Sequence, residues 1–88
     1  NLKVYQKAPM FQTFCKRLEK SKHSIWFNLL TPYKKRLLFN SWDYVQFMLT
    51  EQNQTPSLRK FIYQARRSKK FQVPVKLMRE STLKKILE

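Results

Sequence analysis

Apolar positions recur along this chain at helical spacing, and the pattern restarts at its prolines. From Pro9 onward, Met10, Phe11, Phe14, Cys15 and Leu18 fall on one face at ~100° per residue, while Lys16, Arg17 and Lys20 fall on the other. That spacing predicts an amphipathic helix. Ahead of it, Leu2, Val4 and Tyr5 alternate with Lys3 and Lys7. The residue before a proline avoids the helical region, so residues 1–8 are expected to form an extended arm. "SKHS" breaks the Pro9 helix. The apolar block "IWFNLL", centred on Trp26, fits either a short buried helix or a strand, because six residues do not separate the two periods.

Two later segments, "TPYKKRLLF" at Thr31 and "TPSLRKFIY" at Thr55, open alike. Thr can accept a hydrogen bond from a free amide as N-cap, and Pro at the first helical position has no amide to satisfy. Both therefore read as helix starts. The Pro32 helix extends to about Leu49, with Tyr33, Leu37, Leu38, Trp42, Tyr44, Val45, Met48 and Leu49 sweeping an apolar arc of roughly half its circumference. A helix that apolar belongs at the centre of a bundle. "NSWD" is a candidate interruption, with Ser41 capping a second helix and Asp43 in its first turn. The polar loop "TEQNQ" follows.

The Pro56 helix carries a narrow apolar stripe of Leu58, Phe61, Ile62 and Ala65. Arg59, Lys60, Tyr63, Arg66, Arg67 and Lys70 fall on the opposite side. Continued helix would turn Lys69 back into the apolar stripe, so the regular helix is expected to end near Ser68. "FQVPV" then reads as extended chain or a turn before Pro74. "RESTLKKILE" reads as a last helix, with Ser81 or Thr82 as cap and Leu83, Ile86 and Leu87 as its face.

The expected fold is all-α: a small bundle of four to five short helices with an extended N-terminal arm. Its core is drawn from Phe11, Phe14, Trp26, Leu38, Trp42, Val45, Leu58, Phe61 and Ile62. Composition supports this. The 88 residues contain no Gly, which removes Gly-dependent hairpin turns and phosphate loops together. The length fits a single domain over 1–88, and the 42% hydrophobic content suffices for a folded core. No apolar run approaches the ~20 residues of a membrane-spanning helix, and no signal-peptide pattern opens the chain. One cysteine cannot form an internal disulfide. An intracellular location, nuclear or cytoplasmic, is expected, neither secreted nor transmembrane. The missing initiator Met points to a fragment or a processed product.

The catalytic inventory is thin. Cys15 and His23 are the one candidate nucleophile pair, eight residues apart across a helix end, and Cys15 on an apolar face reads as core. Glu19, Asp43, Glu51, Glu80 and Glu88 are too scattered for paired acid and base work, and no ligand set has zinc spacing. No enzyme activity, cofactor, metal or small-molecule substrate is expected.

Charge carries the signal. With 19 Lys and Arg against 5 Asp and Glu, the chain has a formal charge of +14, and no acid lies between Glu51 and Glu80. Arg clamps phosphate oxygens in a planar fork, Lys adds mobile charge, and Tyr63 can stack on a base or donate to phosphate. Candidate nucleic-acid contacts are Arg59, Lys60, Tyr63, Arg66, Arg67, Lys69 and Lys70, with Lys34, Lys35 and Arg36 as a second cluster. Lys16, Arg17, Lys20 and Lys22 make a third. The expected function is non-catalytic binding of DNA or RNA through the phosphate backbone. The "RRSKK" run also suits a nuclear-import receptor. Sequence-specific reading by a helix-turn-helix is poorly supported, because "TEQNQ" is longer than the usual tight turn. The competing reading is a basic adaptor that binds protein within a viral, nuclear or ribonucleoprotein assembly, using Phe71, Val73, Val75, Leu77 and Met78. An anionic membrane surface ranks third.

Overall fold

Every helix leaves free amides at its start and free carbonyls at its end. In a chain without glycine, serine and asparagine supply several of the devices that satisfy them. The computed structural model describes residues 2–73, and the side chains of residues 8–73. These residues form α1 (Leu2–Glu19), α2 (Ser24–Leu29), α3 (Pro32–Glu51), α4 (Leu58–Arg67) and a 3₁₀ turn at Lys69–Phe71, with no strand among them. The fold is all-α. Pro74 and the expected "RESTLKKILE" helix lie outside the described residues.

The chain divides into two compact units, Asn1–Thr31 with Val73–Glu88, and Pro32–Gln72. In the first, α1 packs on α2. The extended arm expected for residues 1–8 is corrected here, since the backbone is helical from Leu2 and Pro9 lies inside α1. A proline within a helix costs about 3 kcal/mol, but its neighbours Leu2, Lys3, Gln6, Lys7 and Ala8 are good helix formers, and the bias of a pre-proline residue is a preference they override. Thr13 Oγ1 donates to the Pro9 carbonyl at 3.0 Å, one turn on.

Serine makes the turn between α1 and α2. Ser21 Oγ donates to the Leu18 carbonyl at 2.7 Å and accepts from the His23 amide at 3.1 Å. "IWFNLL" resolves as helix. The rings of Phe14 and Phe27 meet edge to face at 6.2 Å, and Leu18, His23, Trp26, Phe27 and Leu30 are buried. Cys15 is half-buried.

In the second unit, α3 contacts α4 and the 3₁₀ turn, and α4 contacts the turn as well. Leu38, Phe39 and Trp42 of α3 are buried, as are Ile62 and Ala65 of α4 and Phe71 of the turn. The Trp42 and Phe61 rings lie 5.3 Å apart at 40°. Pro32 opens α3 directly after Thr31, as its sequence predicts. The interruption proposed at Ser41 does not occur. Its hydroxyl donates back to the Leu37 carbonyl at 2.9 Å, so the group that could have capped a new helix is spent inside a continuous one.

The expected place of α3 at a bundle centre is also corrected. Tyr33, Tyr44 and Met48 are exposed, and Phe47 with them. Phe11, Val45, Leu58 and Phe61, expected in the core, are half-buried.

The end of α3 is a Schellman motif. The Asn53 amide donates to the Thr50 carbonyl at 3.0 Å and the Gln54 amide to the Leu49 carbonyl at 2.8 Å, while Asn53 holds a φ of 57°. Asn is the residue that takes this left-handed position most readily after Gly. We expect Asn53→Gly to leave stability unchanged or raise it by up to ~1 kcal/mol, and Asn53→Val to lower it by about 1–2 kcal/mol. Urea titration of the two variants checks both.

Candidate nucleic-acid interface

The start of α4 differs from the Thr55–Pro56 expectation by two residues. Ser57 is the N-cap, its backbone extended and its hydroxyl accepting from the Lys60 amide at 3.4 Å. The first backbone bond of the helix runs from the Phe61 amide to the Ser57 carbonyl at 3.1 Å. Setting the helix there decides which side chains point outward.

At ~100° per residue, Arg59, Tyr63, Arg67 and Lys60 occupy a sector of ~100°, facing away from buried Ile62 and Ala65. All four are exposed. Arg59, Tyr63 and Arg67 follow one another at four-residue steps, ~6 Å apart along the axis. The last pair is locked together. The Arg67 guanidinium lies 4.6 Å from the centroid of the Tyr63 ring and donates to the Tyr63 hydroxyl at 3.0 Å. An exposed cation–π contact of this kind contributes about 0.5–1 kcal/mol, enough to hold the guanidinium plane in a preferred attitude. The Tyr63 hydroxyl keeps its own proton for an acceptor such as a phosphate oxygen. A base stacking on Tyr63 would use the other ring face.

Arg66 sits at the edge of this face and is half-buried. The helix ends at Arg67, near the Ser68 boundary that Lys69 predicts. Ser68 closes α4, its amide donating to the Ala65 carbonyl, and its hydroxyl accepts from the Lys70 amide at 3.3 Å to start the 3₁₀ turn. Lys69 and Lys70 are exposed on that turn. Five exposed cations thus lie on α4 and the turn that follows it, and basic residues at the C-terminal end also suit the helix dipole.

The second cluster does not form one surface. Consecutive residues of a helix point ~100° apart, so Lys34, Lys35 and Arg36 cannot share a face. Arg36 is exposed, whereas Lys34 and Lys35 are half-buried. Lys34 Nζ donates to the Gln72 carbonyl at 2.7 Å, which ties the start of α3 to the chain leaving the 3₁₀ turn. The sequence carried no signal for that structural use of a lysine, because the partner is a backbone carbonyl 38 positions away. Lys16, Arg17, Lys20 and Lys22 are exposed in the first unit.

Of the apolar residues offered for protein docking, Phe71 and Val73 are buried. Val75, Leu77 and Met78 lie outside the described residues. Among the described residues, no group of three His, Cys, Asp or Glu side chains could hold a metal ion, and no helix is long and apolar enough to cross a membrane. The chain matches no model of a known protein family, no curated protein and no solved structure.

Proposed function

We propose that this protein binds nucleic acid without catalysing a reaction on it, gripping the phosphate backbone through the exposed face of α4 and the 3₁₀ turn. The observation that carries this reading is the set Arg59, Lys60, Arg67, Lys69 and Lys70, all exposed, with no carboxylate in sequence between Glu51 and Glu80. A solvated helix kept soluble by charge alone ordinarily mixes both signs. The Tyr63–Arg67 pair adds a planar donor with a partly fixed orientation. Backbone contact of this kind positions a duplex or a strand and carries no sequence information. A nuclear or cytoplasmic setting follows from such a ligand.

Salt is the direct test. Neutralising about five phosphates on duplex DNA gives a log–log slope near −4.5, a loss of about 500-fold in affinity between 50 and 200 mM salt. Fluorescence anisotropy with labelled duplex DNA, duplex RNA and single strands measures that slope and ranks the ligands. Binding that ignores salt overturns the reading.

A further inference from the structure

The outer side of α3 carries large apolar residues as well as its inner side. Tyr33 is 75% exposed, Tyr44 64% and Phe47 61%, and Met48 is exposed beside them. At ~100° per residue these four, with half-buried Leu37 and exposed Glu51, fall in a sector of ~100°, opposite buried Leu38 and Trp42. Single exposed apolar residues are ordinary, but four on one sector over ~22 Å of helix, with exposed Asn40 between Leu37 and Tyr44, mark a surface that meets something.

Charge decides what it meets. From Leu37 to Leu58 the sequence has no Lys or Arg, and two of its five acids, Asp43 and Glu51, lie there. In a chain of formal charge +14, this is the stretch that repels a second copy least. Charge also differs between the ends of the stripe: exposed Arg36 borders it in the first turns of α3, and exposed Glu51 closes its last. Laid parallel, two such helices would set like charges on like. Laid antiparallel, they set each basic end against an acidic end.

We propose that α3 is a self-docking face, on which two copies pair antiparallel about a two-fold axis passing beside Tyr44. Such an axis places Arg36 of one copy opposite Glu51 of the other, and Asn40 opposite Phe47, so one patch complements itself. The three aromatics offer on the order of 100–150 Å² each, and the stripe roughly 500 Å² per copy, below the ~800 Å² of a standard stable interface. A face of this size is expected to give weak, reversible pairing.

Sedimentation equilibrium from ~10 µM to ~1 mM at about 0.2 M salt tests this, at an ionic strength that screens long-range repulsion and retains charge pairs in contact. A reversible monomer–dimer equilibrium is expected. Phe47→Asp should raise Kd at least tenfold with an unchanged circular-dichroism spectrum, since Phe47 is exposed. Glu51→Lys should raise Kd about fivefold, and adding Arg36→Glu, which returns the net charge to its original value, should restore it to within about twofold. A chain monomeric to ~1 mM, a dimer unmoved by Phe47→Asp, or a double swap no tighter than Glu51→Lys alone overturns the proposal.

Discussion

Replacing Arg59 and Arg67 together by Gln is expected to lower duplex affinity on the order of 10²-fold at about 0.1 M salt, and to flatten the log–log salt slope by about 1.8. The magnitude follows from counterion release: each phosphate neutralised contributes a slope of about 0.9, worth a factor of roughly 8 at that concentration. Both side chains are exposed on α4, two turns apart on one row, so their loss removes contacts without disturbing the buried side. Lys16→Gln/Arg17→Gln on α1 removes the same charge from another helix and should cost several-fold less. Equal losses from the two pairs would mean that net charge, and not the α4 face, governs binding. Arg67→Lys separates charge from geometry. It keeps the cation and loses the planar fork stacked on Tyr63, so affinity should fall a few-fold with the slope unchanged.

The largest stability effect is expected at Trp42. Truncation to Ala removes an indole that is 6% exposed and packed on Phe61, leaving a cavity bounded by α3 and α4 side chains. Losses at such sites run about 3–5 kcal/mol. A chain of this length has a total stability on the order of 4–13 kcal/mol, so the melting temperature should drop by roughly 15–30 °C. Phe27→Ala, at a fully buried ring set edge to face against Phe14, should cost about as much in the first unit. Asn40→Ala, on the exposed side of α3, should stay within about 0.7 kcal/mol of the parent. Thermal melts of the three variants, followed by far-UV circular dichroism at low micromolar concentration, give the comparison.

The helices were legible where local chemistry alone decides them. Absence of glycine, the Thr31–Pro32 start and the clash of Lys69 with the α4 stripe each reduce to rules within one or two turns, and each agrees with the structure. The misses came where two local rules compete. Pro9 argued for a break while its neighbours argued for helix, and helix prevailed; Ser41 could cap or back-bond, and it back-bonds to Leu37. The Thr55–Pro56 pair marked the start of α4 to within two residues, and the cap itself is Ser57.

Exposure was the least legible property. Periodicity counts apolar side chains around α3 but carries no record of which neighbours cover them, so the apolar arc took in Tyr33, Tyr44 and Met48, which are exposed. The α4 candidates were easier, because a narrow apolar stripe leaves one choice of inner face. The bond from Lys34 to the Gln72 carbonyl was illegible for the same reason, its partner being remote in sequence.

The basic-free half of α3 also shapes what covalent probes can see. No lysine lies between Lys35 and Lys60, and no tryptic bond between Arg36 and Arg59, so digestion releases the exposed aromatic stripe beyond Tyr33 as one peptide, residues 37–59. Amine-reactive cross-linkers are blind to that peptide. Carbodiimide coupling, which joins a carboxylate to an amine, would capture Asp43 or Glu51 instead and report on whatever lysine comes to rest beside the stripe.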